Sequence, residues 1–135
     1  MIYPQLCLGT AQFGIDYGIT NSKGKIKQTK AHKILDLFMS KNHKLIDTAS
    51  SYGNAEYTLG NYQSINSLRI VSKITYKKEW NSIKEPFAFW DKLFFDTLDN
   101  LRIKNIDSYL MHNPAEALHN SGDLFISWME SLVHR

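Results

Sequence analysis

The sequence contains little cysteine and no long apolar run. Cys7 is the only cysteine among 135 residues, so no disulfide can form within the chain, which fits a reducing compartment. No run of about 18 apolar residues predicts a membrane span. The N-terminal stretch MIYPQLCLGT lacks the basic segment and the apolar core of a signal peptide. We therefore expect a cytoplasmic protein in which Cys7 is a buried thiol within a strand.

The sequence also lacks a strong excess of charge of either sign. The formal net charge is +3. A basic stretch at residues 23–33 contains five lysines and predicts a solvated loop that runs into a helix. Nucleic-acid binding would need a broader basic surface with base-reading or stacking residues. The histidines do not follow metal-ligand spacing, and no cysteine or carboxylate cluster accompanies them. We therefore expect neither a nucleic acid nor a metal ion as a partner.

Short apolar runs predict four β-strands. They are separated by stretches of helical periodicity, so that strands and helices alternate along the whole chain. The predicted strands are Leu6–Thr10, Leu45–Thr48, Arg69–Ile74 and Ile106–Met111.

Apolar residues at helical spacing predict four helices. We expect the first to be capped by Thr29 and the second, from Ala55, to end at a Gly60 cap. The third begins at Pro86, which is tolerated in a first turn, and Asp123 caps the fourth. Such alternation indicates parallel strands joined by right-handed crossovers, with helices covering the sheet.

Two architectures fit this order. An open doubly wound sheet would normally carry a glycine-rich nucleotide motif after its first strand. The segment GTAQFG found there matches neither G-x-G-x-x-G nor a P-loop. The alternative is a (β/α)8 TIM barrel, in which functional residues gather at the carboxyl ends of several strands. A full barrel takes about 250 residues. We therefore predict a partial barrel of about four βα units.

Four polar residues follow the barrel rule. Asp47, Tyr52, Lys73 and His112 lie at or just after the ends of three predicted strands. Brought together, these side chains could form a proton-donating site for a carbonyl group. Taken singly, each has an ordinary structural explanation, such as a turn cap, a packed ring or a solvated amine. Only the ordered set favours a catalytic site.

The motifs around these residues resemble those of the aldo-keto reductases. The segments are LGTAQFG, LIDTASSYGNAE, VSK and LMHNP, and the four polar residues are spaced by 5, 21 and 39 positions. A single Asp-Thr or Ser-Lys pair would carry no information, but the ordered combination is specific. The resemblance covers essentially the whole chain and corresponds to the N-terminal half of the family's barrel.

The resemblance implies an oxidoreductase that reduces a small aldehyde or ketone with NADPH, or less often NADH. Tyr52 would donate the proton, and the Lys73 ammonium would favour its phenolate form. Asp47 would hold Lys73 and lie near the nicotinamide ribose, and His112 would orient the substrate carbonyl. The resemblance further implies that the nicotinamide side is lined by Gly9, Thr10 and Ala11.

The resemblance also implies that residues 1–135 are the N-terminal half of a reductase domain and that the chain is truncated. In the family, most cofactor contacts come from the second half. An isolated monomer is therefore expected to bind NADPH poorly or not at all. Activity is expected only if a second half is supplied in trans or by self-assembly. The open sheet edges are expected to favour self-association. Two alternatives remain: a non-catalytic interaction or regulatory half-barrel, contacting partners through residues 23–33 or the aromatic third helix, and a truncated gene product.

Overall fold

Four parallel strands form the centre of the structure, a computed structural model that describes residues 5–75, 77, 82–118 and 122–134. Each strand pairs in parallel with the next, so that the sheet order follows the chain order. The prediction of four parallel strands is confirmed, although three of them are shorter than expected. The strands are β1 (Cys7–Gly9), β2 (Leu45–Asp47), β3 (Arg69–Ile74) and β4 (Ser108–Met111).

Helices connect the strands and follow the last of them. The four predicted helices are present, and a further single-turn helix follows β1. Short 3-10 turns occupy Ile65–Ser67, Pro114–Leu118 and Leu132–His134. The α-helices are α1 (Ala11–Gly14), α2 (Gln28–Ser40), α3 (Ala55–Gly60), α4 (Pro86–Leu101) and α5 (Gly122–Ser131).

The helices cover one face of the sheet. On this face, Ile46, Ile70 and Ile74 are at most 2% exposed. They contribute to two apolar clusters, one beneath α2 and α3 and one built around Trp90 and Trp128. Burial of these large side chains is the dominant favourable contribution to folding. The remaining alternate residues lie on the opposite side, here called the open face: Cys7, Gly9, Leu45, Asp47, Arg69, Val71, Lys73, Ser108 and Leu110.

The expectation of a buried Cys7 is wrong, because this residue is exposed. Successive strand residues point to opposite faces. Leu8 points towards the helices and packs against the first cluster, so Cys7 points to the open face on an edge strand. Its apolar neighbours in the sequence suggested burial without indicating which face would be covered.

Two predicted helix caps are also corrected. α2 begins at Gln28, and Lys27 occupies the cap position without a side-chain hydrogen bond, so Thr29 lies within the first turn. Gly60 is the last residue of α3 and serves close packing instead of capping. A Cβ atom at Gly60 would lie 2.1 Å from the backbone oxygen of Asn100 in α4, so only glycine lets the two helices approach this closely.

The other two helix starts lie close to their predicted positions. Pro86 is the first residue of α4, as expected. Asp123 is the second residue of α5 and thus lies in its first turn, two positions later than a cap. At this end of the helix its carboxylate still interacts favourably with the helix dipole.

The architecture is a partial (β/α)8 barrel: four parallel strands, alternating with helices, in an open sheet. A closed barrel of this type has eight such strands. In the described part of the chain, no helix combines the length and apolar character needed to cross a membrane.

Candidate active site

The polar residues singled out from the sequence lie at one end of the sheet. Asp47 is the last residue of β2, Lys73 is next to last in β3, and His112 directly follows β4. Tyr52 lies in the loop between β2 and α3. This is the carboxyl end of the strands, where barrel enzymes carry their active sites. The structure brings all four residues together.

Lys73 and Asp47 form an ion pair on the open face. Lys73 Nζ donates hydrogen bonds to Asp47 Oδ1 at 2.6 Å and to the backbone oxygen of Thr48 at 3.0 Å. The Lys73 side chain is 17% exposed and that of Asp47 is 33% exposed. Removing either charge would leave the other partly desolvated and without its partner. The pair therefore holds the ammonium in a fixed position.

Tyr52 lies against both Lys73 and His112. Lys73 Nζ is 5.5 Å from the centroid of the Tyr52 ring, a distance at which a cation and an aromatic ring attract each other. The rings of Tyr52 and His112 meet edge to face, with centroids 5.6 Å apart and planes inclined at 89°. The phenol, the ammonium and the imidazole thus form one continuous cluster.

Two glycines hold the backbone of the Tyr52 loop. Gly53 has a φ angle of 56°, in the left-handed region that glycine adopts readily. A Cβ atom at Gly14 would lie 1.6 Å from the Tyr52 carbonyl oxygen and 2.5 Å from the Ala55 nitrogen. Helix α1 therefore packs directly on this loop. The position of Tyr52 is fixed by backbone contact as well as by its ring.

His112 has a second side-chain neighbour that the sequence did not indicate. Ser51 Oγ lies 3.2 Å from His112 Nδ1. The backbone nitrogen of His112 donates to the Ile74 oxygen at 2.9 Å, which fixes the start of the loop after β4. If Ser51 donates to Nδ1, the proton of the neutral ring resides on Nε2, which can then donate to a ligand oxygen. Ser51 directly precedes Tyr52, and this adjacency was the only signal for it.

The residues after β1 lie beside Asp47. The Thr10 amide and hydroxyl both donate to the Asp47 backbone oxygen, at 3.0 and 2.9 Å. Thr10 is fully buried, so its hydroxyl is used within the protein. A groove of about 640 Å³ is lined by Gly9, Thr10, Ala11, Asp47 and Tyr52, together with residues of α1 and α2. Lys73 and His112 do not line this groove.

Glu56 is a buried carboxyl group that the sequence did not single out. It is 4% exposed and accepts a hydrogen bond of 2.7 Å from Ser72 Oγ. Ser72 precedes Lys73 but points to the helix-covered face. Burial raises the pKa of Glu56, and hydrogen bonds from Ser72, Thr97 and Asn100 oppose this effect. Glu56 thus links α3 to β3 and α4 below the site.

No metal-binding cluster occurs in residues 5–75, 77, 82–118 and 122–134: no three histidine, cysteine, aspartate or glutamate residues there are grouped so that they could hold a metal ion. The chemistry available at the strand ends is that of a phenol, an ammonium, a carboxylate and an imidazole.

Comparisons with known proteins agree with this geometry. Residues 5–134 match the sequence model of the aldo/keto reductase family. No curated protein matches the chain. A solved structure described as a candidate aldo-keto reductase from Pseudomonas aeruginosa superposes with a TM-score of 0.70 at 22% identity, over 93% of this chain and 50% of that one. A second structure of the same description gives 0.68 at 21% identity, over 93% and 49%. The chain thus spans about half the length of the solved structures that it matches.

Proposed function

Because the chain belongs to the aldo/keto reductase family, we propose that it is an oxidoreductase that reduces a small aldehyde or ketone with NADPH or NADH. The family acts on small carbonyl substrates and generally uses these cofactors. On this proposal residues 1–135 correspond to the N-terminal half of a reductase domain. The observation that supports the proposal most strongly is the Lys73–Asp47 ion pair beside the Tyr52 ring.

Tyr52 is the proposed proton donor. The cofactor, when bound, supplies a hydride to the carbonyl carbon, and negative charge develops on the carbonyl oxygen. A positioned hydroxyl group that protonates this oxygen lowers the activation free energy of the reduction by general acid catalysis. The Lys73 ammonium, 5.5 Å from the ring centroid, places a positive charge beside the ring that gives up the proton. Asp47 keeps Lys73 in place.

His112 is the proposed orienting group for the substrate. Its ring packs edge to face on Tyr52, so a carbonyl oxygen that reaches the Tyr52 hydroxyl also comes close to the imidazole. With Nδ1 facing Ser51 Oγ at 3.2 Å, Nε2 is the nitrogen left to donate to that oxygen. Two donors on one developing oxyanion stabilise the transition state more than the ground state.

The groove beside Asp47 suits the nicotinamide end of the cofactor. Its volume of about 640 Å³ lies in the range of small-molecule sites. At Gly9 an added Cβ atom would meet nothing within 4 Å, so the backbone is open to a flat ring. Lys30 lies on the same lining and offers a positive charge for a phosphate group.

The proposal is tested with Tyr52→Phe, which keeps the ring that packs on His112. We expect the 135-residue chain to consume NADPH with an aldehyde once a second half is supplied in trans or by self-assembly, and the variant to lose at least about 100-fold in rate under the same conditions. Tyr57→Phe is the matched control, because Tyr57 is 50% exposed on α3 and should keep the wild-type rate. No turnover by the wild-type chain, or an unchanged rate in Tyr52→Phe, would contradict the proposal.

A further inference from the structure

Ser51 is held in place by backbone hydrogen bonds on both sides of it. The Ser50 backbone nitrogen and hydroxyl both donate to the Lys73 backbone oxygen, each at 3.0 Å. On the other side, the Tyr52 backbone nitrogen donates to the Ala49 oxygen at 3.0 Å. Because a hydrogen bond anchors each neighbour, the Ser51 side chain projects from a fixed point at the carboxyl end of β3.

The ring of His112 is held from two sides. Ser51 Oγ lies 3.2 Å from Nδ1, and the Tyr52 ring meets the imidazole edge to face, with centroids 5.6 Å apart. The backbone nitrogen of His112 donates to the Ile74 oxygen at 2.9 Å. Backbone and ring are thus both fixed, so the Ser51 hydroxyl faces one particular nitrogen of the ring.

The direction of this hydrogen bond decides which ring nitrogen carries the proton. A neutral imidazole has one N–H donor and one acceptor nitrogen, and a hydroxyl group can donate or accept. If Nδ1 donated to Ser51, Nε2 would be an acceptor and would repel a carbonyl oxygen. If Ser51 donates to Nδ1, the proton lies on Nε2, which can then donate to such an oxygen. Among the described residues, the Ser51 hydroxyl meets no acceptor other than His112 Nδ1, which favours the second arrangement.

We propose that Ser51 is a positioning residue that holds His112 in the tautomer with its proton on Nε2. The consequence for catalysis rests on the proposed reduction, in which the substrate oxygen then meets two donors, the Tyr52 hydroxyl and the imidazole. The tautomer itself requires neither cofactor nor substrate. Ser51 is exposed, so water competes for its hydroxyl. The expected shift in the ratio of the two tautomers is therefore modest, about 3-fold or more.

Nitrogen NMR of the histidine-labelled chain tests this assignment, because protonated and unprotonated ring nitrogens differ widely in chemical shift. Spectra are recorded in the alkaline range in which the histidine shifts no longer change with pH, so that the rings are neutral. The variant His112→Gln identifies the signals of His112 by their loss. We expect the wild-type ring to carry its proton mainly on Nε2, and Ser51→Ala to lower the ratio of the Nε2–H to the Nδ1–H tautomer about 3-fold or more.

Two variants and a second histidine provide the controls. Ser51→Thr keeps a hydroxyl at this position and should retain the wild-type ratio. Ser50→Ala removes the neighbouring hydroxyl but leaves the backbone bond to the Lys73 oxygen, so the ratio should also be retained. His32 Nε2 lies 3.0 Å from the Thr58 backbone oxygen, which can only accept a hydrogen bond. The His32 signals should therefore report an Nε2–H ring in every variant.

The outcomes separate the role of Ser51 from the proposed reaction. A wild-type ring protonated mainly on Nδ1, an unchanged ratio in Ser51→Ala, or equal shifts in Ser51→Ala and Ser51→Thr would overturn this role. With a second half supplied in trans, Ser51→Ala should lower kcat about 3-fold or more with little change in KM, and Ser51→Thr should restore it. An unchanged kcat would overturn the catalytic consequence. A tautomer that responds to Ser51 in a protein without turnover would contradict the proposed reaction and leave the role of Ser51 intact.

Discussion

Lys73 Nζ lies 2.6 Å from Asp47 Oδ1, although the strand register places Val71 beside Asp47. The side chain of Lys73 reaches back along the sheet by two residues to make this contact. The ammonium is thereby kept next to the Tyr52 ring, 5.5 Å from its centroid. One ion pair thus spans an offset of two residues between neighbouring strands and fixes the arrangement of the site.

Asp47→Asn should destabilise the fold, because it leaves the Lys73 ammonium partly buried without a counter-charge. We expect a loss of about 1–2 kcal/mol in the free energy of unfolding, measured by urea denaturation. Lys73→Met and the double variant complete a mutant cycle. If the two residues interact, the double variant should lose less unfolding free energy than the sum of the two single losses. Additive losses would mean that the pair contributes nothing to stability.

Gly14→Ala should destabilise the loop that carries Tyr52. The added Cβ atom would lie 1.6 Å from the Tyr52 carbonyl oxygen, so the backbone of α1 or of the loop must move. We expect a loss of about 2 kcal/mol or more in the free energy of unfolding. Gly9→Ala is the control, since nothing lies within 4 Å of its Cβ position. Equal melting temperatures for the two variants would refute this account of the loop.

Glu56 should make stability depend on pH. Burial raises its pKa from the ordinary value of 4.5, so above that value the native state binds more protons than the unfolded state. Its contribution to the free energy of unfolding therefore falls as pH rises from 4.5 to the raised pKa, and then levels off. Glu56→Gln cannot titrate and should lack this decline.

The measurement for Glu56 is a series of urea denaturation curves between about pH 4 and 8. The difference in unfolding free energy, variant minus wild type, should increase with pH. Glu130→Gln provides a control on an exposed face of α5, where the difference should change little. A pH-independent difference for Glu56→Gln would contradict the burial argument.

Much of the fold was predictable because hydrophobic periodicity reports burial directly. In α2, the spacing predicted an inward face, and Ala31 and Leu35 on it are fully buried. The β3 limits, Arg69–Ile74, agree with the prediction. The single turn of α1 was missed, because four residues are too few for a helical period to appear.

The errors concern contacts between elements that are distant in sequence. Cys7 lies in a three-residue strand, whose composition cannot tell which face the helices cover. The role of Gly60 depends on how closely α3 approaches Asn100 in α4. The burial of Glu56 depends on Ser72, which lies 16 residues away. These relationships arise from packing and leave no local pattern.

For the site, the main residues were predictable from the sequence, but some of their contacts were not. Asp47, Tyr52, Lys73 and His112 could be named because each follows an apolar run, and parallel strands bring such ends together. The structure reveals in addition the Ser51–His112 contact and the close packing of Gly14 on the backbone of the Tyr52 loop. The catalytic roles of the four residues, and a cytoplasmic location, stay predictions.

The most direct test of the proposed reaction is deuterium transfer from reduced cofactor to an aldehyde. The 135-residue chain, with a second half supplied in trans or by self-assembly, would be incubated with an excess of NADPH deuterated at the transferable position of the nicotinamide, and the alcohol would be analysed by mass spectrometry. We predict deuterium in the alcohol formed by the wild-type chain and only background label with Tyr52→Phe. An unlabelled product, or equal label with both proteins, would contradict hydride transfer assisted by Tyr52.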